Sequence, residues 1–144
     1  MWDLYCGTGT IGLVLARDAL TVWGIEIVEE SVACAVENAA LNGIGNAAFY
    51  AGNVGQAIED LRARGGDPDV VVVDPPRAGL SKKVVRRIVE TAPRRVVYVS
   101  CNPTTLAPNA SELTASGLRL RSVRPVDMFP HTPHIECVAL FERG

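Results

Sequence analysis

The sequence lacks both an excess of basic residues and any long apolar run. Lysine and arginine total 14 and aspartate and glutamate total 16 among 144 residues, a formal net charge of −2. The chain is therefore not a strongly basic protein that binds nucleic acid unaided. Its longest apolar stretches, such as Val70 to Val73, are strand-sized and too short to cross a bilayer. The 48% of hydrophobic residues instead predicts one globular domain with its own core.

Paired cysteines are also absent. The four cysteines, at positions 6, 34, 101 and 137, form no C-x-x-C pair of the kind that binds zinc or carries redox chemistry. Free thiols in a chain of this size indicate a cytoplasmic protein. No internal repeat, low-complexity stretch or interdomain linker divides the sequence, so we interpret it as a single domain.

What the sequence does have is a regular alternation of strand and helix patterns. The predicted strands are 1–5, 21–27, 47–50, 69–74, 95–100, 118–125 and 135–142, and the predicted helices are 10–18, 29–41, 54–64, 81–91 and 106–116. This alternation predicts a parallel sheet with helices on both faces. The last two strands have no helix between them and predict a closing antiparallel hairpin.

A glycine-rich loop follows the first strand. Residues 7–12 read G-T-G-T-I-G and fit G-x-G-x-x-G, a pattern shared by dinucleotide enzymes and methyltransferases. Two carboxylates favour S-adenosylmethionine as the ligand. Asp3 lies inside the strand, where it can fasten the loop or face a ligand ammonium group, and Glu26 ends the second strand, where it can accept ribose hydroxyls. S-adenosylmethionine carries no phosphate, and the loop has no basic residue.

Polar residues also follow the later strands. Asn53 comes after the third strand, where it could read an adenine edge or simply form a turn. Asp74 ends the valine-rich fourth strand, and Cys101 follows the fifth. Ligands of open α/β sheets bind outside the carboxyl ends of the strands. The sequence therefore predicts one site that gathers these residues with Asp3 and Glu26.

Cys101 is the strongest candidate nucleophile. It stands in a tight polar turn between a strand and a helix, near backbone donors, which favours a reactive thiolate. Cys34 and Cys137 fall in helical and strand apolar patterns and are predicted to be core residues, and Cys6 is predicted only to pack beside the glycine loop.

Glu136 is the candidate general base. It follows two histidines, His131 and His134, in a proline-rich loop that enters the last strand. The three side chains could in principle bind a metal. Because the prolines exclude a helix and no fourth ligand is evident, we expect no metal here.

Four motifs, taken together, resemble the RNA uracil-5-methyltransferase family. They are D-L-Y-C-G-T-G-T, D-P-P-R-A-G-L, S-C-N-P-T-T-L and D-M-F-P-H-T-P-H-I-E, in this order along nearly the whole chain. The resemblance implies an α/β doubly wound, mostly parallel, seven-stranded sheet of the class I methyltransferase type. It also implies Cys101 as nucleophile, Glu136 as base and S-adenosylmethionine as cofactor. The implied cofactor contacts are Tyr5, Gly7, Gly9, Thr10, Glu26, Asn53 and Asp74.

The resemblance further implies methyl transfer to carbon-5 of a uridine in RNA, with 23S ribosomal RNA expected first and transfer RNA as the alternative. Full-length members of the family add an RNA-binding domain, a central segment, a cofactor-contacting glutamine upstream of the first strand and often a four-cysteine iron–sulfur site. We therefore expect residues 1–144 to be the catalytic domain of a longer protein, binding RNA through that parent and weakly active alone.

Four other classes of protein share part of these sequence features. Amine methyltransferases have an aromatic residue after D-P-P, where this chain has Arg77, and 5-methylcytidine enzymes use a second cysteine that the D-P-P-R segment lacks. A non-catalytic cofactor-binding module does not need both Cys101 and Glu136. A nicotinamide oxidoreductase would bind its dinucleotide in preference to S-adenosylmethionine, which a titration can test.

Overall fold

A computed structural model describes all 144 residues. The strands are β1 Trp2–Leu4, β2 Val22–Glu26, β3 Ala47–Ala51, β4 Val70–Val73, β5 Arg95–Ser100, β6 Leu118–Val126 and β7 Glu136–Arg143. The helices are α1 Thr10–Leu15, α2 Glu29–Leu41, α3 Val54–Gly65, α4 Lys82–Glu90 and α5 Pro103–Ala115. A 3₁₀ turn, Ala16–Asp18, extends α1. No helix is both long enough and apolar enough to span a membrane.

The strands form one seven-stranded sheet in the order β3-β2-β1-β4-β5-β7-β6. The first five strands of the chain are parallel, and β7 runs antiparallel between β5 and β6. This arrangement confirms the doubly wound sheet and the antiparallel C-terminal pair. It also brings the start of β7 to the edge of the sheet where the parallel strands end, and so carries Glu136 to that edge.

Two apolar clusters hold the layers together. The larger cluster, on the face with α3, α4 and α5, contains Trp2, Ile58, Ile88, Tyr98 and Phe141, all at most 1% exposed. A smaller cluster on the other face packs α1 and α2 around Phe49. Both clusters lie between the sheet and the helices that cover its faces, which leaves the loops at the carboxyl edge free to form a site.

The structure corrects two details of the sequence analysis. Helix α5 begins at Pro103 rather than at residue 106, because Asn102 caps it and proline is tolerated in the first turn of a helix. Cys34 is exposed rather than part of the core. It lies on α2, whose buried residues are Ala35 and Ala39. Cys137 is buried, as predicted.

Candidate active site

The glycine loop is shaped by close packing at Gly9 and Gly12. Gly9 has a φ of +82°, and a Cβ there would lie 2.9 Å from the Phe49 ring. A Cβ at Gly12 would lie 2.7 Å from Oδ2 of Asp3. That oxygen accepts a 2.8 Å hydrogen bond from the Gly12 N–H group. Of the two roles expected for Asp3, the structure shows the one in which it fastens the loop.

Asp3 is fully buried, and its Oδ1 atom has no hydrogen-bond partner in the chain. Burial raises the pKa of Asp3 to about 6, the Gly12 hydrogen bond opposes the shift, and the charge of Asp74 adds to it. A pKa higher in the folded than in the unfolded chain means that the folded state retains a proton which the unfolded state has lost. The free energy of unfolding should therefore fall as the pH rises from about 4 to about 6.

Replacing Asp3 with asparagine should remove this pH dependence, because the amide oxygen can still accept the Gly12 hydrogen bond but cannot ionise. Urea unfolding between pH 4 and 7 should show that the wild type loses about 2–3 kcal/mol more stability across this window than the variant does. Asp18→Asn, at an exposed carboxylate, is the matched control and should behave like the wild type. Parallel curves for wild type and Asp3→Asn would show that Asp3 does not titrate there.

Four of the predicted cofactor residues line one cleft of about 480 Å³, here named the Glu26 cleft. Its walls are Tyr5, Glu26, Ile27, Asn53, Val54, Asp74, Pro75 and Pro76. Tyr5 enters the cleft just after β1 with a φ of +65°. The cleft thus lies across the ends of β1, β2, β3 and β4, but Asp3 and Cys101, which were predicted at the same site, do not line it.

The Glu26 carboxylate is held in place by backbone amides. Oε2 accepts from the N–H group of Gly7 at 3.1 Å, and Oε1 accepts from those of Ile27 at 2.7 Å and Val28 at 3.1 Å. Two carboxylate oxygens offer about four acceptor positions, so the group can also accept from a ligand. The same bonds tie the glycine loop to the end of β2.

Asn53 serves first as a helix cap. Its Oδ1 atom accepts from the Gly55 N–H group at 2.9 Å and caps α3, which matches the turn expected as the alternative to adenine recognition. The amide nitrogen makes no hydrogen bond within the chain and remains available in the Glu26 cleft.

Not all predicted contacts reach the cleft. Thr10 lines a separate groove with Asn38 and Asn42, and its hydroxyl lies 3.4 Å from that of Thr8. Gly7 and Gly9 shape the loop without lining the cleft. A cofactor contact by these three predicted residues stays a prediction.

A second cleft of about 320 Å³, the Cys101 cleft, contains both predicted catalytic residues. It is lined by Asp74, Val99, Cys101, Val126, Met128, Phe129, Glu136 and Val138. The ladder between β5 and β7 pairs Ser100 with Cys137. Cys101 directly follows β5 and Glu136 is the first residue of β7, so continuing the antiparallel register brings them side by side.

Three polar side chains of S-C-N-P-T-T, those of Ser100, Asn102 and Thr105, fix the turn that carries Cys101. The Ser100 hydroxyl accepts from the Asn102 N–H group at 3.1 Å, and the Asn102 carbonyl accepts from that hydroxyl at 3.1 Å. Asn102 Nδ2 and the Thr105 hydroxyl both donate to the Arg77 carbonyl, at 3.1 and 3.0 Å. The thiol is half-buried on a turn that is thereby fastened to the D-P-P-R segment.

Cys6 provides a contrast. It is buried beneath the glycine loop, where burial, followed by the charges of Asp3 and Glu26, raises the pKa of its thiol to about 12. A thiol in this environment stays protonated at neutral pH, so it is not a nucleophile.

Asn109, a buried residue of α5 that was not predicted as a site residue, fixes the far end of the D-P-P-R-A-G-L segment. Its Oδ1 atom accepts from the Leu80 N–H group at 2.8 Å and from the Tyr98 hydroxyl at 2.9 Å, while its Nδ2 group donates to the Leu80 carbonyl at 3.0 Å. An asparagine directly after Pro108, in the middle of a helix, was the available signal.

Two apolar residues of the Cys101 cleft were missed as well. Met128 and Phe129 are 61% and 51% exposed although both line the cleft. Large apolar side chains left exposed beside the predicted nucleophile suit the face of a planar ring. Their position inside D-M-F-P-H was the signal in the sequence. Neither His131 nor His134 lines either cleft, and no group of three or more His, Cys, Asp or Glu side chains could hold a metal ion.

Asp74 is the one residue that lines both clefts. Burial raises the pKa of Asp74 above its ordinary value, and the nearby charge of Glu136 adds to the shift. The Glu26 cleft and the Cys101 cleft therefore meet at a single carboxylate, so two ligands bound in them would be neighbours. This is the geometry that a group-transfer reaction requires.

Comparison with known proteins places the chain in a family. The family model for tRNA (uracil-5-)-methyltransferase matches residues 1–144. A protein of Enterococcus faecalis named an uncharacterized RNA methyltransferase is 52% identical over 142 residues, which is 99% of this chain and 31% of the relative. Another from Caldanaerobacter subterraneus is 48% identical over 144 residues, 100% of this chain and 31% of the relative. The chain thus spans about a third of these relatives.

Solved structures of methyltransferases also match the fold of this chain. The tRNA (uracil-54, C5)-methyltransferase of Pyrococcus abyssi, solved in complex with S-adenosyl-L-homocysteine, superposes with a TM-score of 0.84 at 37% identity over 97% of this chain and 33% of that one. A precorrin methyltransferase of Geobacter metallireducens superposes with a TM-score of 0.78 at 13% identity. The match spans 99% of this chain and 79% of the precorrin enzyme, so the two share the fold. This chain belongs to the tRNA (uracil-5-)-methyltransferase family.

Proposed function

We propose that residues 1–144 form the catalytic domain of a longer enzyme that transfers a methyl group from S-adenosylmethionine to carbon-5 of a uridine in RNA. The observation that carries the proposal is the meeting of the Glu26 cleft and the Cys101 cleft at Asp74. A donor in the first cleft and a uracil in the second would be held next to each other. Positioning of this kind supplies much of the rate enhancement in bimolecular reactions.

The Glu26 cleft fits S-adenosylmethionine. Its carboxylate can accept ribose hydroxyls, its Asn53 amide group is available to an adenine edge, and its proline and valine walls suit an apolar ring face. The adjoining loop has no basic residue and needs none, because this cofactor has no phosphate. When bound, S-adenosylmethionine supplies an electrophilic methyl group.

Cys101 makes carbon-5 of the uracil reactive. Carbon-5 alone is too weak a nucleophile to take a methyl group. Attack of the Cys101 thiolate at carbon-6 forms an S–C bond and turns the carbon-5 side of the ring into an enolate, which can then accept the methyl group. The fastened turn holds the sulfur in one place relative to the ring.

Glu136 completes the reaction. After methylation, carbon-5 carries both the methyl group and its original proton. The Glu136 carboxylate removes that proton, the ring electrons re-form the carbon-5 to carbon-6 double bond, and the S–C bond breaks to release Cys101. Because the strand register places Glu136 beside Cys101, one residue can act on the face of the ring that the other has attacked.

The RNA substrate can be identified by a direct comparison. The family name and the name of the P. abyssi enzyme refer to transfer RNA, whereas the sequence analysis expected 23S ribosomal RNA first. The full-length protein should be incubated with labelled S-adenosylmethionine and with each unmodified RNA in turn. Digestion to nucleosides should give labelled 5-methyluridine from one of them. Labelled RNA containing only another methylated nucleoside would contradict the proposal.

Replacing Glu26 with alanine in the full-length protein should weaken cofactor binding by about 30-fold or more, because charge-assisted hydrogen bonds to the ribose are lost. Calorimetry with S-adenosylmethionine measures this change, and titration with NAD tests the nicotinamide alternative. Glu30→Ala, an exposed change on α2, is the matched control. Urea unfolding without ligand separates loss of the backbone hydrogen bonds from loss of the ligand contacts. An unchanged dissociation constant would rule out the assignment.

A further inference from the structure

Strand β6 forms a free, basic edge of the sheet. It is the last strand in the sheet order and pairs only with β7. Its sequence, L-R-L-R-S-V-R-P-V, contains three arginines and no acidic residue, and residues 119–125 are all exposed. In a chain with a net charge of −2, this strand is a local concentration of positive charge.

The edge is continuous with the Cys101 cleft. Val126, at the end of β6, pairs with Glu136 and lines the cleft. Arg124 pairs with Val138, which also lines it. Arg119 lies five residues before Arg124 in β6, which places it about 16 Å further from the cleft at the usual rise per residue. The basic edge therefore begins at the proposed reaction centre and leads away from it.

Two of the three guanidinium groups are unpaired. Arg121 donates to Glu142 at 2.9 Å, and Glu142 also accepts from Arg95 at 2.9 Å. Arg119 and Arg124 take part in none of the six ion pairs of the chain. Exposed charged side chains can protect an edge strand from pairing with the strand of another chain. That protection does not require the arginines to be aligned with the Cys101 cleft. Unpaired arginines aligned with the cleft suit the phosphate oxygens of a nucleic-acid backbone.

We propose that the β6 edge binds the phosphate backbone of the RNA strand that flanks the target nucleotide, through Arg119 and Arg124. This inference rests on the proposed function. A contact to phosphate positions the strand without reading its sequence. The contact would also let this domain bind RNA directly, which its net charge of −2 does not predict.

The test is the double variant Arg119→Ala and Arg124→Ala in the full-length protein, compared with a control, Arg17→Ala and Arg86→Ala, at exposed arginines on other elements. The RNA used is whichever substrate the wild type methylates. The dissociation constant should rise about tenfold near 0.1 M salt. In a plot of the logarithm of this constant against the logarithm of the salt concentration, the slope should decrease by about 1 for each arginine lost. The KM for RNA should rise, whereas kcat at saturating RNA and the affinity for S-adenosylmethionine should not change.

The outcomes separate the two proposals. A wild type that methylates RNA, with a double variant of unchanged affinity and salt dependence, would overturn the edge inference alone. A double variant that self-associates while keeping wild-type RNA affinity would show that the arginines only protect the edge, which also overturns it. A wild type that neither binds nor methylates RNA would overturn the proposed function, and the edge inference with it. Lysine at both positions should restore most of the salt dependence, because charge is retained.

Discussion

The Cys101→Ala variant of the full-length protein should lose methylation activity by at least about 10⁴-fold. Without the thiolate, carbon-6 is not attacked and carbon-5 never becomes nucleophilic. The same variant should lose covalent capture of RNA that contains 5-fluorouridine. In the wild type, fluorine at carbon-5 cannot leave as a proton does, so the cysteine adduct persists and migrates as a larger species on a denaturing gel.

The other three cysteines provide the controls. Cys6→Ala, Cys34→Ala and Cys137→Ala should each retain the adduct, because two of these thiols are buried and the third lies on the exposed surface of α2. The melting temperature of Cys101→Ala should stay near that of the wild type, since this thiol is half-buried and on a turn. If loss of another cysteine abolishes capture, Cys101 is not the nucleophile.

The Glu136→Gln variant should stall after methyl transfer. Addition of Cys101 and methylation both precede removal of the carbon-5 proton, and glutamine is nearly isosteric with glutamate but cannot accept that proton. Turnover should fall by about 10²–10⁴-fold. A protein–RNA adduct that carries the methyl label should accumulate on a denaturing gel with the normal substrate, whereas the wild type should show little of it.

Three outcomes distinguish the possible roles of Glu136. A methylated adduct shows that it is the base. Normal turnover without adduct would make it an ordinary surface carboxylate, and loss of turnover without adduct would make it a residue that orients the uracil. Glu90→Gln, at an exposed carboxylate on α4, should behave like the wild type and controls for loss of a charge.

The fold was predictable because its determinants are local. Strand and helix periodicities identify every element, and the right-handed helical crossovers between parallel strands leave little freedom in topology. The predicted start of α5 was residue 106 rather than 103, because the apolar pattern of the helix begins only at Leu106. Here Pro103 is in the first turn, and Asn102 caps the helix. Cys34 was misplaced because α2 carries apolar residues on more than one side, while only Ala35 and Ala39 are buried.

The site was predictable only in part. Residues at strand ends gather because parallel strands end at a common edge, and Glu26, Asn53 and Asp74 do share a cleft. The pairing of Cys101 with Glu136 depends on the insertion of β7 between β5 and β6, a long-range contact that the residues themselves do not reveal. Likewise, the hydrogen bond from the Gly7 N–H group to Glu26 arises from the folding of the glycine loop beside it.

The most direct measurement of the central claim follows the hydrogen at carbon-5 of the target uridine. RNA prepared with tritium at carbon-5 of its uridines is incubated with the full-length protein and S-adenosylmethionine that carries a ¹⁴C-labelled methyl group. Carbon-5 methylation through Cys101 and Glu136 replaces that hydrogen, so one tritium should appear in water for every methyl group fixed in the RNA. Methyl transfer without tritium release would place the methyl group on another atom and contradict the account.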